Sequence, residues 1–342
     1  MSTPTSPETP RSDGFLAEDE EEMAGDIGDE SDLEPIERER GTGSLESFAA
    51  GVVRPVVVVL LSDLDRDAAD RFAREWVTLP ESTREQIVRG MDGLAEDRVE
   101  LSFGRVLRLA LDDPSPVVRQ LAVAALWEDE REDLIEPLHD LLVRDPSQDV
   151  RAEAARGLGK FARLAEGGEL SEATGRLLHE ELLAVATDER QPELLRQRAL
   201  EAAAVFRRDP GIRTLILDAY ESDDQAWQSS ALFAMAQSLD RTWLPTVLEE
   251  LANADGQLRY EAARACGALG DEAAVPELLE CAGDEDVEVR RAAIAALGQI
   301  GGRSAIRALQ TLSTTADEAD HEPIEAALEE AFATSDPFGS VA

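Results

Sequence analysis

The segment that decides the fold is Asp284–Gly298, which reads DEDVEVRRAAIAALG. Its Val289, Arg290 and Ala293 belong to a pattern that also occurs five times upstream. We call the arginine position the anchor. The anchors follow one another at intervals of 32, 45, 32, 31 and 31 residues, at Arg119, Arg151, Arg196, Gln228, Arg259 and Arg290. Repetition at this period is typical of arrays in which each unit packs only against its neighbours.

Small residues follow each anchor at fixed offsets. The third residue after the anchor is always alanine, at Ala122, Ala154, Ala199, Ala231, Ala262 and Ala293. The sixth is alanine or glycine, and the residue before the anchor is apolar. These offsets share one face of an α-helix, and side chains this small let another helix approach closely. The pattern therefore predicts an all-α fold, an α-solenoid in which paired antiparallel helices form a right-handed superhelix.

A second helix is predicted between each anchor helix and the next. Proline marks its first turn in three units, at Pro137, Pro245 and Pro276. Asp or Asn stands six residues before four anchors and is predicted to cap the incoming helix, at Asp113, Asp145, Asn253 and Asp284. The longest interval implies an insertion of about 13 residues, which we assign to a longer loop at residues 166–169.

These stretches, together with the DPSPVVR of Asp113–Arg119, resemble HEAT-like repeats of the phycobilisome-lyase type. The resemblance covers about residues 102–306. It implies that the aspartates, together with Arg119, Arg151 and Arg290, fix the stacking of neighbouring repeats. Gln228 departs from the pattern, so the polar ladder should be weaker in that unit.

Composition predicts the remaining organisation of the chain. Residues 1–44 hold too little apolar surface to offset the entropy of ordering, so we expect a disordered acidic arm. Further ranges follow in chain order: an N-terminal helical cap or degenerate repeat at 45–101, about six HEAT-like units at 102–316, a C-terminal capping helix at 317–334 and a tail at 335–342.

Charge limits the partners that the chain can take. It has 73 acidic and 33 basic residues, hence a net charge of −40. Such a surface repels nucleic-acid phosphates and anionic membranes and favours basic partners. The longest apolar run, residues 56–61, is too short to span a bilayer. We therefore expect a cytoplasmic monomer that binds neither nucleic acid nor membrane.

Histidines are the first candidates for chemistry. His139, His179 and His321 form no His-Glu-x-x-His zinc motif. The dipeptides His179-Glu180 and His321-Glu322 are similar to the His-Glu pairs that hold di-iron in deoxyhypusine hydroxylase, another HEAT-like protein. That family carries four pairs near the anchor position, whereas this chain has two pairs away from it. We expect these residues to be surface polar groups, with no metal.

The two cysteines and four tryptophans give weaker signals. Cys266 occupies an apolar repeat position and Cys281 follows on the next helix, so we predict packing rather than catalysis. Trp76 and Trp227 are predicted to be core residues. Trp127 and Trp243 lie beside turns, which leaves packing and partner contact open, with packing favoured.

The favoured function is a protein-interaction scaffold or adaptor, not an enzyme, with no catalytic residue, cofactor or metal. Its groove should be lined by the second helix of each unit and should bind a basic or helical protein partner. Two alternatives stay open on resemblance alone: a chromophore-lyase-like accessory protein, and a deoxyhypusine hydroxylase-like oxygenase, which would require bound iron.

Overall fold

The computed structural model describes Phe48, Gly51 and residues 53–335. These residues form seventeen α-helices joined by turns and short 3-10 segments, and they contain no strand. The predicted arm at 1–44 and the tail beyond Ser335 lie outside the described residues. The chain divides into two compact regions, residues 1–109 and 110–342.

The first compact region holds the first helices of the chain. Its helices are α1 (Pro55–Val58), α2 (Arg66–Trp76), α3 (Glu81–Asp97) and the start of α4 (Gly104–Ala110). Asp65 caps α2, since its carboxylate accepts a 2.7 Å hydrogen bond from the Ala68 amide. Trp76 is a core residue, as predicted, and its ring lies 5.6 Å from that of Phe72.

Two rows of helices form the second compact region. The six anchor helices pack one against the next in chain order: α5 (Pro116–Ala125), α7 (Gln148–Glu166), α9 (Glu193–Ala203), α11 (Gln225–Ser238), α13 (Gly256–Leu269) and α15 (Val287–Ile300). Helix α17 (His321–Ser335) carries no anchor and continues this row by packing against α15. The second helices pack against them: α6 (Ile135–Arg144), α8 (Glu172–Thr187), α10 (Pro210–Tyr220), α12 (Leu244–Glu250), α14 (Val275–Cys281) and α16 (Gly302–Thr315). The all-α, helical-repeat solenoid is therefore confirmed.

The insertion lengthens helices, so its assignment to a loop is wrong. Helix α7 has 19 residues and α8 has 16, whereas α5 and α6 have 10 each. Only residues 167–171 connect α7 to α8, and Gly168 supplies the positive φ of 82° that this turn requires. The added residues continue the helical period, which is why they extend helices.

The predicted caps also differ from the structure. Asp284 does not cap α15; the cap is Asp286, whose carboxylate accepts from the Glu288 amide at 2.9 Å. Asp284 instead accepts from the Asp286 amide at 2.9 Å and so shapes the turn before the helix. The other members of the set bond the same way to the residue two positions ahead, namely Asp113, Asp145 and Asn253.

All six predicted alanines are fully buried in the stack of anchor helices. Glycines eight residues after the anchor mark places where neighbouring helices approach more closely still. The pattern predicted from the sequence does not include this position. A Cβ on Gly267 would lie 2.9 Å from the Cα of Ala296, and one on Gly298 would lie 3.0 Å from the Cα of Ala327. Glycine is needed there because a side chain would meet the backbone of the next helix.

Candidate protein-binding surfaces

A polar ladder joins consecutive units near the start of the array. The Nε and Nη2 of Arg119 donate to the carboxylate of Asp145 in the next unit, at 2.7 and 2.8 Å. Its Nη1 donates to the carbonyl of Asp113 in its own unit, at 2.7 Å. Only 10% of the Arg119 side chain and 3% of the Asp145 side chain are exposed. One guanidinium therefore ties two inter-unit turns together.

The ladder returns near the end of the array. Arg259 binds Asp284 through Nε and Nη2 at 2.7 and 2.9 Å, and Arg290 binds Asp320 through Nε at 3.1 Å. The hydrogen bond from Arg259 is the main reason that the pKa of Asp284 is lowered. The structural role predicted for Asp284 and Arg290 agrees with these contacts.

Three boundaries in the middle of the array lack this pair. Arg151 reaches Gln191 at 3.0 Å instead of a carboxylate, and its Nε is buried without a hydrogen-bond partner among the described residues. Arg196 donates to the Ala186 carbonyl. Within the described part of the chain, the Gln228 side chain bonds only inside its own unit, to the Ser222 carbonyl at 2.9 Å. The weakening predicted for Gln228 thus extends to Arg151, for which we had expected a ladder contact.

Basic side chains also cap the carbonyl ends of anchor helices. The Nζ of Lys160 on α7 donates to the carbonyls of Leu126 and Trp127, just after α5. Arg241 donates in the same way to the carbonyl of Leu269, the last residue of α13, at 3.2 Å. These contacts satisfy carbonyls that a helix end leaves free.

One face of the anchor row carries a line of charged and aromatic side chains, which we call the groove face. Its members stand two and five residues after the anchors of α7, α9, α11 and α13: Glu153, Arg156, Arg198, Glu201, Ser230, Phe233, Glu261 and Arg264. A cavity of about 360 Å³ opens on it between α11, α13 and α15. We had expected the second helices to line the groove; the anchor helices line this one.

Each charged pair on the groove face holds its carboxylate deeper than its guanidinium. Arg198 binds Glu201 at 2.6 Å, with side-chain exposures of 38% and 5%; Arg264 binds Glu261 at 3.1 Å, with 44% and 11%. The hydroxyl of Ser230 also donates to Glu201, at 2.8 Å. Burial raises the pKa of Glu261, and the neighbouring Glu201 adds to the effect.

Aromatic rings hold the Arg264 guanidinium in place. Its carbon lies 5.4 Å from the Phe233 ring centroid and 5.5 Å from that of Tyr260. Both rings are half-buried and line the 360 Å³ cavity. Cation–π attraction thus keeps this side chain over the groove face.

A second cavity, of about 560 Å³, lies on the side of the second helices, and we call it the edge cavity. Its apolar lining residues, which we call the floor, include Leu248, Leu251 and Ala252. Its charged lining residues, which we call the rim, are four carboxylates and one guanidinium, from Glu277, Glu280, Asp284, Glu285 and Arg259. Asp284 already pairs with Arg259, so the rim keeps an excess of negative charge.

The histidines lie on different elements. His139 on α6 is 3.7 Å from Glu181, and His179 on α8 is 2.9 Å from Asp209 and stacks on Phe206 at 4.8 Å. His321 begins α17. Among the residues that the structure describes, no three His, Cys, Asp or Glu side chains are grouped as metal ligands would be.

The cysteines are buried free thiols at the packing positions that the sequence predicts. Burial raises the pKa of Cys266 to about 12 and also raises the pKa of Cys281. Both thiols are therefore held in the protonated, weakly nucleophilic form.

The tryptophans differ in how far they are exposed to solvent. Trp243 is only 3% exposed, with the Arg213 guanidinium 4.2 Å from its ring, so the alternative of partner contact is wrong for it. Trp227 is half-buried under Arg196, 5.1 Å away, so the prediction that it is a core residue is wrong. Trp127 is 54% exposed and keeps the alternative of partner contact.

Three solved structures align with most of this chain. The phycocyanin lyase complex of CpcE and CpcF from Nostoc is 21% identical, covering 71% of this chain and 94% of that chain, with a TM-score of 0.49. Human deoxyhypusine hydroxylase is 19% identical, covering 78% and 96%, with a TM-score of 0.34. Importin beta is 12% identical, covering 81% and 44%, with a TM-score of 0.42.

Comparison of the sequence with known families identifies two segments of the chain. No curated protein matches the sequence. Among the residues that the structure describes, no helix has the length and apolarity to cross a membrane. The model of the HEAT-repeat family matches residues 105–176 and 244–333. These two segments of the solenoid are therefore HEAT repeats.

Proposed function

We propose that this protein is a non-enzymatic scaffold or adaptor that binds a basic, helical segment of a protein partner in the edge cavity. The proposal takes the protein to act in the cytoplasm as a monomer. Its main support is the combination of an apolar floor and an acidic rim in one cavity of about 560 Å³. Neither feature alone would select a basic amphipathic helix.

The floor suits the apolar stripe of such a helix. Leu248, Leu251 and Ala252 stand within one turn of the end of α12, and Cys281 adds its buried thiol from α14. An amphipathic helix binds by laying side chains spaced at i, i+3 and i+4 into an apolar depression of this kind.

The rim selects the charge of the partner. Glu277, Glu280 and Glu285 make no ion pair within the described residues, so their carboxylates are available to lysine or arginine beside the apolar stripe. The chain's net charge of −40 adds long-range attraction for a basic segment and repulsion for an acidic one.

Peptide binding to the full chain tests the proposal. The probe is a fluorescently labelled amphipathic peptide with a leucine stripe flanked by lysines, and the reference is the same composition in scrambled order. We expect the ordered peptide to bind more tightly by fluorescence anisotropy. The double variant Glu277→Gln/Glu280→Gln should weaken binding about tenfold, because two ion pairs are lost at the rim.

The matched control removes the same charge elsewhere. Glu325→Gln/Glu329→Gln neutralises two exposed carboxylates on α17 and should leave the affinity within about twofold. Equal losses in the two double variants, or equal affinities for the ordered and scrambled peptides, would show that only net charge is recognised and would reject the edge cavity as the site.

A further inference from the structure

We propose that the groove face is a second binding surface, of opposite selectivity, which takes an acidic peptide segment carrying an aromatic or large apolar residue. This inference goes beyond the edge cavity, because it concerns the other side of the anchor row and a partner segment of the opposite charge. Together the two surfaces would let one chain bridge an acidic and a basic segment.

The groove face presents guanidinium groups although the chain as a whole is strongly acidic. The side chains of Glu153, Glu201 and Glu261 are 15%, 5% and 11% exposed. The arginines paired with them, Arg156, Arg198 and Arg264, are 53%, 38% and 44% exposed. An approaching ligand therefore meets the basic member of each pair first, while the acidic member lies beneath it.

Two of these arginines keep donors for a second carboxylate. Arg198 and Arg264 each contact their glutamate through Nη1 alone. A guanidinium has five N–H donors in a planar fork and binds a carboxylate best with two of them. Nε and Nη2 of both arginines make no hydrogen bond within the described residues, so this edge of each fork is open to a ligand.

The aromatic side chains give the site its second selectivity. Phe233 and Tyr260 lie against the Arg264 guanidinium and line the 360 Å³ cavity with Ala292 and Ala295. The rings reduce the freedom of the guanidinium before binding, which lowers the entropic cost of fixing it. Beside them the cavity offers apolar contact to one aromatic or large aliphatic side chain.

Charge complementarity selects the occupant. A basic segment would meet guanidinium groups before it met the buried carboxylates, so the groove face disfavours it. A segment with carboxylates at Arg198 and Arg264 and an aromatic residue between them would satisfy both open forks and the cavity. Salt at physiological strength screens the repulsion from the distant acidic surface more than it screens these short contacts.

The test uses the full chain and a labelled peptide of alternating Glu and Ser with one central Phe. We expect binding by fluorescence anisotropy, and loss of binding when Gln replaces every Glu of the peptide. Arg264→Gln should weaken binding about tenfold, because a bidentate charge-assisted contact is lost. Arg264→Lys should give an intermediate affinity, since it keeps the charge and loses the planar fork.

Arg303→Gln is the matched control, because Arg303 is an exposed arginine on α16 whose side chain makes no hydrogen bond or ion pair among the described residues. It should leave affinity within about twofold. Thermal unfolding of each variant shows whether the fold is kept. The basic peptide of the previous section should bind Arg264→Gln as it binds the parent, so the two surfaces fail or succeed separately.

Four outcomes would overturn the proposal. The first is that the acidic peptide does not bind, and the second is that Arg264→Gln and Arg303→Gln lower its affinity equally. The third is that single-stranded RNA displaces the peptide and binds Arg264→Gln less tightly, which would make the groove face a nucleic-acid site. The fourth is that sedimentation equilibrium shows a dimer that Arg264→Gln dissociates, which would make a second copy the occupant.

Discussion

The boundaries at the two ends of the repeat array differ from those in its middle. At the ends, an arginine of one unit binds a carboxylate of the next, as Arg119 binds Asp145 and Arg259 binds Asp284. At the three middle boundaries, the residue six positions before the next anchor is Arg190, Ser222 or Asn253, and the ion pair is missing. The helices stack in both regions, so the ladder is not what makes them stack.

Sequence comparison also treats the two regions differently, although its limits do not coincide with theirs. The HEAT-repeat model matches residues 105–176 and 244–333 and leaves out 177–243, which holds Arg190 and Ser222, whereas Asn253 lies inside the matched range. The alanines of the middle units, Ala199 and Ala231, are as fully buried as those at the ends. Small residues are therefore common to the stacking of both regions, whereas the Asp–Arg pair is found only towards the ends.

The first prediction breaks the ladder where it is strongest. Asp145→Ala leaves the Arg119 guanidinium, 10% exposed, without its carboxylate and should lower the free energy of unfolding by about 3 kcal/mol. Gln191→Ala, the corresponding change at the middle boundary, should cost only about 1 kcal/mol because a single polar contact is lost. Urea unfolding compares them, and equal losses would mean that the two kinds of boundary do not differ in energy.

The second prediction concerns helix contact at the end of the array. Gly298→Ala puts a methyl group 3.0 Å from the Cα of Ala327 and should cost about 1–3 kcal/mol through overpacking. Gly93→Ala on α3 meets nothing within 4 Å and should instead stabilise the protein by about 0.5–1 kcal/mol, since alanine favours helix. Effects of the same sign would show that helix propensity, not close approach, decides both positions.

The third prediction builds the missing pair into the middle. Gln228 already bonds the carbonyl six residues before it, as Arg259 does, and Asn253 makes the same turn as Asp284. Gln228→Arg with Asn253→Asp should therefore show a favourable coupling of about 1 kcal/mol in a double-mutant cycle. Zero coupling would mean that the middle boundaries hold the two positions too far apart.

The smallest expected effect is a difference in pH dependence. Because the pKa of Asp284 is lowered, its contribution to stability is present above about pH 4 and is lost as the pH falls through the folded-state pKa. Because the pKa of Glu261 is raised, its ionisation destabilises the fold as the pH rises above about 4.3. Asp284→Asn should flatten the acid limb of stability against pH, whereas Glu261→Gln should raise stability at pH 7 and not at pH 4. Denaturant midpoints measured from pH 3 to 7 test both variants. A shift of the midpoint in the same direction for both variants at pH 7 would contradict this prediction.

Much of the array was predictable because its strongest signal is periodic. Buried alanines at one helical phase identify the anchor row even where the ladder residues change. The loop assigned to the insertion was wrong because residue types at 166–169 favour a turn, while the residues on both sides keep the helical period. The glycines eight residues after the anchor were missed, although Gly159, Gly267 and Gly298 recur at that offset.

The candidate surfaces were less predictable for a physical reason. The groove face depends on which of many charged side chains lie side by side on different helices, and spacing within one unit does not show this. Arg198 and Glu201 stand in the reverse order to Glu261 and Arg264, so alignment of units hides their similarity. The buried depth of each carboxylate, which makes the exposed charge basic, is a property of the packed helices alone.

Lys160 has a practical consequence for chemical study of this protein. It is the only lysine of the 342 residues, it is 8% exposed, and its amine is bound to the end of α5. Acylating reagents therefore find just one side-chain amine, and they reach it only when it leaves the carbonyls of Leu126 and Trp127. The rate of lysine acylation would thus time the opening of a single inter-unit contact in the otherwise intact protein.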